Sequence, residues 1–243
     1  MGKGNFEMKT ILLTGVTSGI GRETAIYLNE QGYRLVLVAR DEEKLTKLFE
    51  RIGDHHMSYI MDLACLDQID GLFNYLKNAE VKLDGMAYCA GIAGNMPFRN
   101  ISTEEIATMM QVNCYAFVSI AKEFVKKSFS NDGSSIVAIS SLSAVTTYPG
   151  TCAYSMSKSA LITACKVLAK EVLRRKIRVN TVLPGYVETR MMEGTDLEKI
   201  LSDQPWGYVH PREVAQIIEY LISDKARMIT GSQITISGGM QFN

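Results

Sequence analysis

The sequence lacks an excess of either charge, a long apolar run and a recognisable leader segment. Its 26 basic and 26 acidic side chains cancel, so no basic field is available to hold a nucleic-acid backbone. No stretch approaches the ~18 consecutive apolar residues of a membrane span. Residues 1–9 lack the basic, apolar and small-residue pattern of a signal peptide. We therefore expect a cytoplasmic protein whose partners include neither nucleic acid nor membrane.

Spaced metal ligands are missing as well. The five cysteines have no CxxC spacing, and among the three histidines only His55 and His56 are adjacent, which is a poor geometry for joint ligation. We expect reduced thiols and no metal site. The 243 residues, 47% of them hydrophobic, suffice for a large core. Because no Pro/Gly/Ser-rich linker divides the chain, we expect a single domain over residues 1–243.

Short apolar runs alternate with helical periods along the chain. "TILLTG", "RLVLVA" and "SSIVAIS" are typical of buried strands. Asp41 is a predicted helix N-cap, and Ser102 with Glu105 forms a predicted capping box. Since right-handed crossovers place helices on both faces of a parallel sheet, the alternation predicts a doubly wound α/β fold of the Rossmann type, a three-layer α/β/α sandwich.

Residues 186–210 interrupt the alternation and are predicted to form a mobile flap over a substrate. Met191, Met192 and Trp206 would lie on it. Trp206 and Tyr208 would either shape a pocket or only anchor the flap, and the sequence favours neither.

The stretch "TGVTSGIG" follows the first predicted strand and opens the next helix. Backbone amides and the helix N-terminus would point there at an anionic phosphate. Gly15 permits the tight turn, Gly19 the approach of a pyrophosphate and Gly21 close helix packing. The predicted phosphate-binding residues are Gly15, Thr17, Ser18, Gly19, Ile20 and Gly21. Alternatively, the glycines serve only the turn.

Arg40 bears on the choice of dinucleotide. A carboxylate at the end of the second strand would bind the ribose hydroxyl of NAD, whereas an arginine accommodates the 2′-phosphate of NADP. The strand ends in Val38-Ala39-Arg40, and the following Asp41 is explained as an N-cap. The sequence thus favours NADP over NAD, unless Arg40 is only a solvated surface charge.

Tyr154 and Lys158 share one face of a predicted helix. A tyrosine with the usual pKa of about 10 needs a nearby cation to exchange protons at neutral pH, and Lys158 would supply it. Ser141, after the fifth strand, would orient a carbonyl oxygen; Ser140 and Ser143 are alternatives. Taken alone, the YxxxK spacing also fits an ordinary helix face.

Together, in this order and spacing, these motifs resemble the short-chain dehydrogenase/reductase family, in its compact single-domain branch, over nearly the whole chain. By this resemblance Asp62 and Leu63 would contact adenine, and Ala90 and Gly91 would lie beside a ribose. Tyr88-Cys89 stand where the family usually has two asparagines, and the family's asparagine there commonly stabilises the central strand. The departure puts local hydrogen bonding in doubt more than catalysis.

The segment "LPGYVET" resembles the family's nicotinamide-binding segment. The resemblance implies that Pro184 and Gly185 line the nicotinamide, that the Val187 backbone meets its carboxamide, and that Thr189 reaches a phosphate.

The resemblance also implies a catalytic tetrad of Asn113, Ser141, Tyr154 and Lys158. Tyr154 would be the acid in reduction and the base in oxidation, while Lys158 lowers its pKa and binds the nicotinamide ribose. Asn113, in "QVN", would hold a water of a proton relay, although a polar residue at a helix bend explains it equally.

The expected function is NADP-dependent hydride transfer to or from a small-molecule carbonyl or secondary alcohol. A 3-oxoacyl-[acyl-carrier-protein] substrate is one alternative, for which a basic patch beside the pocket would be needed. Candidates for this patch are Arg99, Lys122, Lys126, Lys127, Arg174 and Arg175. A catalytically silent nucleotide sensor or scaffold is the other. The resemblance further implies a homodimer or homotetramer.

Overall fold

A parallel sheet forms the centre of the protein in a computed structural model that describes residues 8–189 and 197–240. The seven strands are arranged in the order β3-β2-β1-β4-β5-β6-β7, with every pairing parallel. They are β1 Thr10–Thr14, β2 Arg34–Ala39, β3 Met57–Ile60, β4 Leu83–Tyr88, β5 Ser130–Ile139, β6 Arg178–Pro184 and β7 Gln233–Ile236. The predicted doubly wound fold is confirmed.

Helices cover both faces of the sheet. They are α1 Gly19–Glu30, α2 Glu42–Ile52, α3 Ile69–Asn78, α4 Thr103–Met110, α5 Ala116–Phe124, α6 Ser143–Thr146, α7 Cys152–Glu171, α8 Leu197–Asp203 and α9 Pro211–Ile222. One apolar layer contains Leu72 of α3, Phe117 of α5 and Leu161 of α7. The other contains Leu28 of α1 and Ile218 of α9. Each face of the sheet thus has its own core.

The position of the functional site follows from the strand order. β1 pairs with β2 on one side and with β4 on the other, so the connections after β1 and β3 run in opposite directions across the sheet. A crevice opens at such a switch point, outside the carboxyl ends of the strands.

Local signals in the sequence correspond to observed helix ends. The Asp41 carboxylate accepts a 3.0 Å hydrogen bond from the Lys44 backbone at the start of α2, and Ser102 and Glu105 form the predicted capping box of α4. The helical region after Ser102 is not one continuous α-helix, because a π-helical turn, Gln111–Tyr115, separates α4 from α5.

The predicted flap is less irregular than its sequence indicates. Helix α8 lies within it, and Val187 forms a parallel bridge with Val209. Gln204 links two parts of this region. Its fully buried side chain bonds both the backbone amide (2.8 Å) and the backbone carbonyl (3.0 Å) of Tyr186. The Trp206 side chain is 88% exposed. Met191 and Met192 lie outside the described residues.

Within the described ranges, no helix is long and apolar enough to cross a membrane. The same residues contain no group of three or more His, Cys, Asp or Glu side chains that could hold a metal ion. All five cysteines are described, and each is free.

Candidate active site

A cleft of about 470 Å³ opens at the carboxyl ends of β1, β2, β4, β5 and β6. The predicted cofactor-binding residues that line it are Gly15, Thr17, Ser18, Gly19, Ile20, Gly21, Arg40, Asp62, Leu63, Ala90, Gly91, Tyr154, Lys158, Pro184, Gly185, Val187 and Thr189. Ser141 also lines the cleft, whereas Asn113 is not among the residues that line it. Residues distant in the chain converge here because parallel strands all end at this edge of the sheet.

The glycine turn needs its glycines for steric reasons. Gly15 has φ +72°, and a Cβ there would lie 2.7 Å from the Ala90 backbone nitrogen. A Cβ at Gly21 would lie 2.2 Å from the Gly15 carbonyl oxygen. The turn therefore packs directly on the end of β4, with the N-terminus of α1 at the cleft. Such a bare cradle at a helix N-terminus fits the pyrophosphate of a dinucleotide.

Thr189 comes back to this turn from the far side of the cleft. Its Cγ2 would be 3.1 Å from a Cβ at Gly19. The hydroxyl-bearing side chain predicted to reach a phosphate thus lies against the predicted phosphate cradle.

Arg40 stands at the mouth of the cleft with its side chain 74% exposed and its guanidinium 3.9 Å from the Asp62 carboxylate. The Asp62 carboxylate also accepts a 2.9 Å bond from the Ala64 amide. An ion pair this long and exposed contributes little to stability. The guanidinium is therefore free to engage an anionic ligand at low cost.

Tyr154, Lys158 and Ser141 meet at the inner end of the cleft. Lys158 is 4% exposed, donates a 2.8 Å bond to the Ile139 carbonyl, and has its ammonium 6.0 Å from the centre of the Tyr154 ring. Burial lowers the pKa of Lys158 to about 8. Burial raises the pKa of Tyr154, although its hydrogen bond with Ser141 acts in the opposite direction.

The pKa of Tyr154 thus departs from the sequence-based expectation that Lys158 would hold it low. Desolvation is the larger effect, and the Lys158 ammonium donates to the Ile139 carbonyl. A phenol in this environment keeps its proton at neutral pH.

Three serines were candidates for orienting the substrate. Ser140 is 2% exposed and donates to the Lys158 backbone carbonyl at 3.0 Å, so it joins β5 to α7. Ser143 begins α6 and donates its amide to the Ser141 hydroxyl at 3.1 Å. Ser140 and Ser141 both line the cleft, but of the three serines it is Ser141 that bonds Tyr154.

Asn113 lies in the π-helical turn, fully buried. Its side chain accepts from the Ile92 amide at 2.8 Å and donates to the Ile92 carbonyl at 2.9 Å and to Ser157 at 2.9 Å. Its Oδ1 would be 3.2 Å from a Cβ at Gly91, and Lys158 Nζ would be 3.0 Å from that Cβ. Asn113 and Lys158 therefore approach Gly91 together.

The end of β4 holds the two residues that depart from the family pattern. Tyr88 is fully buried and donates a hydrogen bond to the Val112 carbonyl, and its ring packs edge-on against Phe117 at 5.5 Å. Cys89 lines the cleft, and burial raises the pKa of its thiol to about 12. The thiol is neutral and a poor nucleophile there.

Sequence reasoning missed Gln204. Its Oε1 would lie 2.2 Å from a Cβ at Gly185, and its two bonds to Tyr186 hold the segment that lines the inner cleft. A buried glutamine in a loop gives no periodic signal, so only the structure shows it.

None of the six basic residues proposed for a carrier-protein patch is among those that line the cleft, and Arg175 lies at the opposite end of β5. Arg175 donates to the carbonyl of Ser130, the first residue of β5, and pairs with Asp132, each at 2.7 Å. The cleft lies beyond the other end of that strand; Ser130 and Ala138 pair with Leu83 and Tyr88 of β4, so the separation is about 20 Å at ~3.3 Å per residue of β4. Arg175 thus has a structural role, and the expectation of a patch at the pocket fails for it.

The fold and the cleft define a dinucleotide-binding oxidoreductase of the doubly wound α/β class. Comparison with known proteins narrows the class. The model of the enoyl-(acyl carrier protein) reductase family matches residues 15–241. The chain belongs to the short-chain dehydrogenase/reductase family.

Relatives with curated names are similar over their full length. The 3-oxoacyl-[acyl-carrier-protein] reductase of Rickettsia conorii is 32% identical over 236 residues, covering 96% of each chain. The human protein of that name is 29% identical, over 96% of this chain and 98% of the relative. Among solved structures, 4-hydroxyisoleucine dehydrogenase complexed with NADH has a TM-score of 0.86 at 29% identity, covering 97% of this chain and 99% of that one.

Proposed function

We propose that this protein is an NADP-preferring reductase of carbonyl compounds in which Tyr154 is the proton donor. The observation that carries the proposal is the meeting of Tyr154, Ser141 and Lys158 at the inner end of a cleft whose outer end is bordered by Arg40. The bound dinucleotide supplies the hydride.

In reduction, Ser141 and Tyr154 both donate hydrogen bonds to the substrate oxygen. As negative charge develops on that oxygen, Tyr154 transfers its phenolic proton to it. The raised pKa of Tyr154 keeps this proton in place before reaction. Lys158, with its ammonium 6.0 Å from the centre of the Tyr154 ring, returns a proton to the phenolate that remains, and its lowered pKa eases this transfer. Asn113, anchored on Ile92, supports the relay behind Lys158.

NADP preference rests on Arg40, whose guanidinium is exposed at the end of β2. Such a group binds a 2′-phosphate by charge-assisted hydrogen bonds. We expect Arg40→Asp to weaken NADPH binding relative to NADH binding. The NADH dissociation constant divided by the NADPH dissociation constant, measured by fluorescence titration, should fall by at least about tenfold. Arg51→Asp, on the exposed end of α2, is the matched control. An unchanged ratio in Arg40→Asp would remove this arginine as the phosphate partner.

The catalytic proposal is tested with Tyr154→Phe, which keeps the ring and loses the proton. We expect kcat to fall by about 10²–10⁴-fold in a panel of carbonyl substrates, with the dissociation constant for NADPH within about twofold of wild type. Retained turnover would show that another group donates the proton. Tight NADPH binding without turnover of any substrate by the wild type would favour the silent nucleotide sensor.

A 3-oxoacyl-[acyl-carrier-protein] substrate is the second candidate, because the Rickettsia conorii and human relatives carry that name. Comparing the same 3-oxoacyl group on a carrier protein and on a short thiol tests it. If kcat/KM is at least about tenfold higher on the carrier protein, equivalent to about 1.4 kcal/mol, the carrier-linked compound is the substrate. Equal values would indicate that the substrate is a free small molecule.

We further propose a cytoplasmic homodimer or homotetramer. Val118 on α5 and Met156 and Val167 on α7 are about half exposed, and apolar helix faces of this kind are buried when subunits pair. Light scattering coupled to size-exclusion chromatography measures the mass of the particle. A mass of 27.0 kDa, that of a single chain, would contradict the proposal.

A further inference from the structure

The end of β4 and the π-helical turn are joined at two points. At one, the Tyr88 hydroxyl donates to the Val112 carbonyl. At the other, the Asn113 side chain bonds both backbone groups of Ile92, at 2.8 and 2.9 Å. Val112 and Asn113 are neighbours in the turn, so the two connections act on the same two residues.

The Val112 carbonyl needs a donor because of the π turn. In a regular α-helix it would accept from the amide four residues on, which belongs to Ala116. Here the Ala116 amide donates to the Gln111 carbonyl instead. The Tyr88 hydroxyl takes the place of that missing α-helical donor.

Tyr88 is held where it can make this bond. It is 0% exposed and its ring contacts Phe117 edge-on, so the phenol has little freedom to turn away. An asparagine, the usual family residue at this position, is several ångströms shorter than tyrosine and ends well before the phenol oxygen does. The contact therefore belongs to the departure from the family pattern.

We propose that Tyr88 is a positioning residue whose hydroxyl stabilises the π-helical turn and thereby sets the place of Asn113 behind Lys158. This inference rests on the proposed function for its catalytic consequence, but its structural part is independent of any activity. Without the hydroxyl, the part-buried Val112 carbonyl loses this donor. The turn then relaxes toward regular α-helical bonding, and Asn113 shifts relative to Ile92.

The structural part is tested on the full chain labelled with ¹⁵N-isoleucine. The Ile92 amide donates to Asn113, so its exchange with solvent deuterium reports on that bond. We expect Tyr88→Phe to accelerate exchange of this amide about tenfold, the size expected for loss of one buried hydrogen bond. Tyr33→Phe is the matched control, because it removes another buried phenol hydroxyl, 3.3 Å from Glu219 in the opposite core layer. Unchanged Ile92 exchange in Tyr88→Phe, or equal acceleration in the control, would overturn the proposal.

The catalytic part is tested by a double-mutant cycle with Asn113→Ala. Tyr88→Phe alone should lower kcat about three- to tenfold, with the NADPH dissociation constant unchanged. In the Asn113→Ala background it should have no further effect, because the residue it positions is gone. Equal losses in both backgrounds would show that Tyr88 acts on the fold in general. If the wild type reduces no substrate, the proposed function fails, and the exchange measurement still decides whether Tyr88 sets the turn.

Discussion

Replacing Lys158 by methionine should stabilise the protein while abolishing its activity. Lys158 is buried, and its pKa is lowered from 10.5 to about 8. At about 1.36 kcal/mol per pKa unit, keeping this ammonium charged inside the protein costs about 3 kcal/mol. Methionine removes the charge and fills much of the same space. Losing the 2.8 Å hydrogen bond to the Ile139 carbonyl costs about 1–2 kcal/mol. The free energy of unfolding at pH 7 is therefore expected to rise by about 1–2 kcal/mol.

The dependence of this gain on pH provides the decisive assay. The folded state binds the Lys158 proton less tightly than the unfolded state, so wild-type stability rises with pH between about 8 and 10.5. The advantage of Lys158→Met should therefore be greatest at pH 8 and below, vanish near about pH 9, and become a disadvantage of about 1–2 kcal/mol toward pH 10.5. Urea unfolding of both proteins across this window measures it. Lys166→Met, at an exposed position of the same helix, controls for a lysine-to-methionine change as such.

A destabilised Lys158→Met at pH 7 would refute this reasoning. It would mean that the contacts of the ammonium outweigh its desolvation, contrary to the direction of its pKa. A stabilised variant whose advantage did not change between pH 8 and 10.5 would show that packing, and not charge, was responsible.

Three further predictions concern residues around this centre. Gly91→Ala should lower kcat at least about tenfold with little change in Tm, because its Cβ would lie 3.0 Å from Lys158 Nζ and 3.2 Å from Asn113 Oδ1; steady-state kinetics and a melting curve test this. Burial lowers the pKa of His56 to about 4, so as pH falls from 6.5 to 4 the wild type should lose about 2–3 kcal/mol that His56→Gln does not lose. Arg178→Met should cost about 3 kcal/mol in urea unfolding at pH 7, since the buried guanidinium bonds four carbonyls in the last turn of α9 and the turn that follows it; a cost below about 1 kcal/mol would contradict that role.

The elements that sequence analysis predicted well are those with a local signal. A strand end followed by glycines identifies the turn from Gly15 to Gly21, and a four-residue spacing places Tyr154 and Lys158 on one helix face. Capping residues such as Asp41 are recognised from their side chains alone. These features are encoded within a few residues, so no tertiary contact is needed to read them.

Features that depend on contacts between elements could not be predicted. Gln204 bonds Tyr186 across the predicted flap, and Tyr88 bonds Val112 across 24 residues of sequence. Nothing in the spacing of these residues marks them as partners. The pKa of Tyr154 belongs to the same group, because its direction depends on how far burial exceeds the opposing influence of Ser141.

Two features of the cleft suit the proposed NADP-dependent reduction. A phenol with a raised pKa is protonated at neutral pH, as a proton donor must be. The exposed Arg40 guanidinium at the other end of the cleft suits the phosphorylated dinucleotide. Oxidation would instead require Tyr154 to lose its proton first, against the effect of burial. The kcat for oxidation should therefore rise steeply with pH, whereas the kcat for reduction should be nearly independent of pH below the pKa of Tyr154.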